Sequence, residues 1–281
     1  MGPRGVVLLI AIAAAAPGCA RFGAGDDSPL DDAAAGPLAD GADVDATARR
    51  GSEANPAADC AELRDAGEPS GVAWVRHPDG VSPAFEVYCE QELAGGGWAM
   101  LYNSVLREDG TTTAFWQFGY AARLGRMGTA APDENYYHGA LYLIATDYFD
   151  LFTDLAGTTA VAAEVSATGF DQASMAFIAP SKLSGSDGVF VNQFASGWSS
   201  RDHDADTYAE NCATRFGDVA QHYSACWSYN LGADADGEPP FLDGGVGPHV
   251  NNGILAEVGL TAQPDGGSYS RVLRIARFAR W

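Results

Sequence analysis

Basic residues are scarce in this chain of 281 residues: lysine and arginine together number 16 against 37 aspartates and glutamates, and Lys182 is the sole lysine. The net charge of −21 repels a phosphate backbone, which excludes nucleic acid as a partner. It also repels anionic lipid headgroups, so any membrane attachment has to come from a lipid or an apolar segment. Long apolar runs are lacking too. The run from Val6 to Ala16 is shorter than the roughly 20 residues a spanning helix needs. Catalytic patterns are missing: there is no H-E-x-x-H, no G-x-S-x-G, and Gly95-Gly96-Gly97 has no Lys-Ser/Thr after it, which leaves no recognisable zinc site, nucleophile elbow or phosphate loop. His77, His138, His203, His222 and His249 are scattered without ligand spacing. The expectation is a protein that is not an enzyme. No repeat of solenoid length and no collagen-like or coiled-coil segment is present to multiply the chain.

What the sequence does have begins with an export signal over residues 1 to 19: Arg4 in a short basic region, the apolar run, then Ala16-Pro17-Gly18-Cys19. This ending resembles a bacterial lipobox, with Ala16 and Gly18 in the small positions and Pro17 departing from the pattern. The resemblance implies cleavage before Cys19 and lipidation of its thiol. The expected location is outside the cytoplasm, at a cell surface or outer membrane, or extracellular. Residues 20 to 58 are Ala, Gly, Asp and Pro with almost no aromatics, and Asp26, Asp27, Asp31, Asp32, Asp40, Asp43 and Asp45 repel one another. Such a segment cannot bury enough apolar surface to offset its ordering entropy, so a solvated, disordered tether is expected there.

Setting Cys19 aside leaves Cys60, Cys89, Cys212 and Cys226, an even set in a compartment that permits disulfides. Four cysteines allow three pairings. The pairing Cys60 with Cys89 and Cys212 with Cys226 closes the shortest loops, each bond contributing on the order of 3 to 4 kcal/mol in the chain-entropy model.

From Asp59 onward aromatics appear and glycines punctuate short apolar runs, among them Val72-Ala73-Trp74-Val75, Phe85-Glu86-Val87-Tyr88 and Trp98 to Tyr102. These read as strands, as do Val161 to Ser166 and Met175 to Ala179. Helices are expected over Cys60 to Ala66, Thr112 to Leu124 and Ala145 to Leu155. The sum is one α+β domain over residues 59 to 281. Asp202, Asp204 and Asp206 alternate, which in a curved loop turns hard oxygen ligands toward one locus and suits calcium. An EF-hand is excluded, because Thr207 and Ala213 stand where its glycine and glutamate are needed.

The run Cys60-Ala-Glu-Leu-Arg-Asp-Ala-Gly67, Ser70-Gly71-Val-Ala-Trp74, Phe85-Glu-Val-Tyr88-Cys89 and Gly95-Gly96-Gly97-Trp98 resembles the opening of a fibrinogen-related domain. Asp202 to Ala213 resembles that family's calcium loop, and Cys226 with Ser228-Tyr229-Asn230-Leu231-Gly232, Asn252-Gly253-Ile254 and Tyr269-Ser270 resemble the segments that follow it. The likeness covers about residues 59 to 281 and is weak over Ser104 to Ser181. It implies a fibrinogen C-terminal-like globular domain with a central twisted antiparallel sheet, short helices and a loop-rich subdomain for calcium and ligand. It assigns Asp204 and Asp206 as side-chain calcium ligands, the main-chain carbonyls of Tyr208 and Glu210 as completing the shell, and Asp202 as an acid just outside. It places a ligand pocket beside the second disulfide, drawing on Phe216, Tyr223, Cys226, Trp227, Tyr229 and His249, with His222 nearby. Where such relatives act as lectins the ligand is a carbohydrate or acetylated group; the alternative is an adhesion protein that takes a peptide or protein partner. Trp227 stands where histidine is frequent in the family.

Overall fold

The computed structural model describes residues 49–233, 246–263 and 267–281. The export signal with Cys19, the tether up to residue 48 and the acidic residues Asp234, Asp236, Glu238 and Asp243 lie outside the described residues.

Seven strands run across the main sheet in the spatial order Gly71–Val75, Phe85–Glu90, Trp98–Val105, Arg274–Arg280, Asp147–Thr153, Thr159–Ser166 and Ser181–Gly185. Every pairing along this path is antiparallel. Two short strands, Tyr136–His138 and Arg126–Gly128, join at Trp98–Val105. Four of the apolar runs expected as strands therefore fall in this sheet, the run Met175 to Ala179 shortens to Ala176–Ile178 in a separate two-stranded sheet, and the helix Cys60–Asp65 forms where expected, with the Asp59 carboxylate accepting from Glu62 N at 2.8 Å as its N-cap.

Three expectations change. Ala145 to Leu155, read as a helix, is the strand Asp147–Thr153. Its residues Tyr148 to Phe152 are all buried, because the strand lies inside the sheet with side chains covered on both faces, and such a strand has no polar alternation to separate it from a helix. The second change concerns residues 49 to 58. Counted in the tether on composition, they are held against the domain: Ala57 is fully buried and bridges Val75, and Gly51 O accepts from Trp74 N at 2.8 Å. Small residues serve at this place because the chain runs close to a sheet edge, where a Cβ on Gly51 would stand 3.2 Å from Leu63 Cδ2. The expected helix Thr112 to Leu124 divides into the helix Thr111–Trp116 and a 3-10 turn at Tyr120–Ala122.

The strand Arg274–Arg280 sits between two strands far from it in sequence, and its alternation builds both faces. Phe278 is in register with Met100 on one side and Phe149 on the other, and the Phe149 and Phe278 rings stack at 4.7 Å. On the opposite face Arg277 is in register with Tyr102 and Asp150. Arg277 is wholly buried; its Nε and Nη2 donate to Asp150 Oδ1 and Oδ2 at 2.6 and 2.8 Å, and its guanidinium lies 3.9 Å from the Phe194 ring. A buried guanidinium is tolerated only with such a planar two-bond partner and further acceptors. The four arginines of the C-terminal segment thus disperse: Arg271 pairs with Glu108, Arg274 reaches Asn103, Arg277 holds Asp150 and Arg280 pairs with Asp147.

The C-terminal half docks on this face. Tyr229 opens a three-stranded sheet, Tyr229–Ala233 with Gly247–Asn251 with Tyr269–Arg271. Its hydroxyl donates to Asp150 Oδ2 at 2.7 Å and is also hydrogen-bonded to Tyr102. Gln221 Nε2 donates to Tyr229 O and its Oε1 accepts from Leu231 N, both at 2.8 Å. These bonds fix the loops that follow against the sheet.

Candidate functional site

Strand Gly197–Ser199 pairs with Gln221–Tyr223, and between them the chain makes the acidic loop and the helix Cys212–Arg215. Asn211 caps that helix, its side chain accepting from Thr214 N at 3.2 Å. Cys212 bonds Cys226 and Cys60 bonds Cys89, each with Cα atoms 5.4 Å apart, which is ordinary disulfide spacing. Of the three pairings open to four cysteines, the local one is present.

Asp206 lies at the centre of the loop. Its Oδ2 accepts from Cys212 N at 2.9 Å and Ser199 Oγ at 3.2 Å, and its Oδ1 accepts from Tyr208 N at 3.0 Å. Burial pushes its carboxyl up, the hydrogen bonds pull it down, and the charge of Asp204 pushes it up again. Asp204 lies two residues away, its Oδ1 accepting from Asp206 N at 3.4 Å. Asp202 turns elsewhere, accepting from Ser200 Oγ at 2.7 Å and Tyr120 N at 2.8 Å, and these bonds hold its carboxyl low. His203 stacks on Tyr120 with ring centres 3.9 Å apart, and its Nε2 is buried without a hydrogen-bond partner.

Among the described residues no three His, Cys, Asp or Glu side chains converge as a metal-binding group. A cation at this loop would therefore depend on main-chain oxygens beside the Asp204 and Asp206 carboxylates. The donor chemistry fits a hard cation: the charge of Asp204 disfavours ionised Asp206, and a divalent ion between the two carboxylates would relieve that repulsion.

Beside the second disulfide a hollow of about 170 Å³ is lined by Tyr208, Arg215, Phe216, Ala225, Cys226 and Tyr269. Cys226 takes a positive φ of 57°, which turns the backbone sharply at the floor. Behind it Trp227 packs against Tyr269 at 4.1 Å and Phe216 at 5.3 Å. Of the six pocket residues expected, Phe216 and Cys226 line this hollow and Trp227 backs it. Tyr223, Tyr229 and His249 do not line it, being fully buried: Tyr223 Oη donates to Val219 O at 2.7 Å, Tyr229 belongs to the Arg277 network, and His249 Nδ1 lies 3.0 Å from Gly247 O. His222 is buried under Tyr142 and Phe177, with Nε2 2.8 Å from Met175 O, and burial drives its pKa down to about 3. The residues missed are Arg215, Ala225, the ring of Tyr208 and, as a pocket wall, Tyr269. Tyr269 arrives through pairing with Asn251, a contact that no local pattern signals.

A larger hollow of about 520 Å³ lies at the first disulfide, lined by residues such as Arg50, Glu68, Val72 and Cys89. Arg49 pairs there with Glu68 and Arg50 with Glu62. It lacks aromatic walls, so the smaller hollow is the better candidate for a ligand with apolar faces.

Fold and site together define a fibrinogen-like globe: an α+β domain tied by two local disulfides, with a loop-rich C-terminal half built on a central antiparallel sheet. Residues 56–155 match the family described as fibrinogen beta and gamma chains, C-terminal globular domain. The solved fibrinogen-like globe domain of human ANGPTL6 superposes with a TM-score of 0.55 at 26% identity, over 80% of this chain and 96% of that one. Human angiopoietin-related protein 6 is 42% identical over 87 residues, 30% of this chain and 16% of its own length. Human fibroleukin is 38% identical over 71 residues, 25% of this chain and 15% of its own. The chain thus covers about a sixth of the curated relatives it matches.

Proposed function

We propose that this protein is a calcium-supported recognition module, non-catalytic and lectin-like, which seats a carbohydrate or an acetylated group in the hollow beside Cys212–Cys226 and works outside the cytoplasm. The observation that carries the reading is the placement of an aromatic-walled hollow, with Phe216, Tyr269 and Tyr208 around Cys226, directly against the loop that bears Asp204 and Asp206. Aromatic faces and a few fixed polar groups are what a sugar site requires. Asp204 and Asp206 hold the ion by side chain and Tyr208 and Glu210 by main-chain carbonyl. Calcium supplies charge neutralisation that orders the loop, and with it the Tyr208 wall of the hollow. The fold likeness to the ANGPTL6 globe supports a binding role rather than a chemical one. Lipidation of Cys19 belongs to the same reading, as the means by which the module is displayed.

Two measurements test this. A glycan array probed with and without calcium should give calcium-dependent binding; capture of a protein partner with no glycan signal would replace the lectin reading by an adhesive one. Calcium at about 5 mM should stabilise the parent by roughly 1 to 2 kcal/mol, given dissociation constants of about 10⁻⁴ to 10⁻³ M for extracellular modules. A melting temperature indifferent to calcium would remove the ion from the proposal.

A further inference from the structure

We infer that the hollow beside the second disulfide selects ligands bearing a carboxylate, an acidic sugar being the class that fits, and that Arg215 reads the charge. This rests on the reading of that hollow as the ligand site. The chain as a whole carries a net charge of −21, yet the described residues lining the hollow are three aromatic rings, an alanine, a half-cystine and one guanidinium, with no carboxylate among these described residues. The local chemistry therefore runs against the global charge.

Arg215 is held in place for this task. Its Nη1 donates to Tyr208 Oη at 3.1 Å and to Glu210 Oε2 at 3.3 Å, and its guanidinium lies 5.3 Å from the centre of the Tyr208 ring and 5.9 Å from that of Phe216. The Arg215 side chain is 24% exposed, whereas that of Glu210 is 72% exposed. The pair with Glu210 has a solvated partner and is weak; a ligand carboxylate entering the hollow competes with it for the guanidinium, and its two oxygens match the planar fork. The rings of Tyr208 and Tyr269 then meet the apolar face of the sugar. Tyr208 and Glu210 grip Arg215 with their side chains while their main chain lies in the acidic loop. Ordering of that loop by an ion is thereby transmitted to the group that reads the ligand.

The test compares methyl galacturonoside with its uncharged methyl ester in calcium buffer, by titration of parent, Arg215→Gln, Arg215→Lys and Glu210→Gln proteins. The acid should bind the parent on the order of tenfold more tightly than the ester. Arg215→Gln should bring the ratio to about one, Arg215→Lys should keep part of it, and Glu210→Gln, which releases the competing carboxylate, should increase it. Equal binding of acid and ester by the parent overturns the charge selection and leaves the recognition reading intact. Binding of neither sugar, with Arg215-dependent binding of an acidic peptide, overturns the sugar assignment of both. If Arg215→Gln does not fold, the Glu210→Gln protein decides: no gain for the acid over the ester overturns the inference.

Discussion

Replacing Arg277 by methionine removes a guanidinium from a fully buried position. Asp150, opposite it in register, is fully buried and loses the donors at 2.6 and 2.8 Å, keeping the hydroxyl of Tyr229 at 2.7 Å. Methionine approximates the volume, so the cavity cost is small and the unpaired carboxylate dominates. Breaking a buried pair in this way costs about 3 to 5 kcal/mol. For a domain of this size each kcal/mol moves Tm by roughly 2 to 4 °C, so a fall of about 6 to 20 °C is expected. The double variant Asp150→Leu/Arg277→Met removes both charges and leaves Tyr102 and Tyr229 bonded to each other. It should recover most of the loss, ending within about 2 kcal/mol of the parent. Urea unfolding followed by tryptophan fluorescence at pH 7 measures all of these. A single variant within about 1 kcal/mol of the parent, or a double variant no better than the single one at unchanged m-value, would refute the role of the Arg277–Asp150 pair in the core.

Acid should destabilise the fold through His222. Its folded pKa is about 3 against about 6.5 unfolded, so below pH 6.5 the unfolded chain takes up a proton that the folded one refuses, and stability falls by about 2 kcal/mol by pH 5; the His222→Gln protein should show a shallower fall between pH 6.5 and 4 in urea titrations. Asp204→Ala with Asp206→Ala should abolish the rise in melting temperature on adding calcium, and a rise equal to the parent's would show that these carboxylates do not hold the ion. Cys212→Ser with Cys226→Ser opens a loop of sequence separation 14 and should cost about 3 kcal/mol by denaturant unfolding, together with the calcium response. Gly197→Ala places a Cβ 1.8 Å from Ala205 O, between the two loop carboxylates in sequence. It should cost about 1 to 3 kcal/mol and weaken calcium stabilisation, and a calcium titration identical to the parent's would contradict the tie between strand and loop.

Much of this architecture can be read in the chain alone, and the gaps have physical causes. Val72 to Val75 and Phe85 to Tyr88 announce themselves because one side of each strand is more exposed than the other. Asp147–Thr153 conceals itself for the opposite reason, since both faces are covered. The cysteine frame and the alternating aspartates are local patterns and are legible. The hollow is not, because Tyr269 reaches it by strand pairing and because burial separates Tyr223, Tyr229 and His249 from Phe216, a distinction that residue type cannot make. Arg215 is one basic residue on a short helix; only its proximity to Tyr208 and Phe216 marks it.

Placing Arg274–Arg280 between Trp98–Val105 and Asp147–Thr153 dictates the order of events during biosynthesis. Until that segment has been made, two inner strands lack a shared neighbour and Asp150 lacks its counter-ion. Contacts spanning more than a hundred residues close late and slowly. A growing polypeptide of this kind stays open until Arg274–Arg280 has been translated, a state that leaves apolar strands uncovered and prone to association.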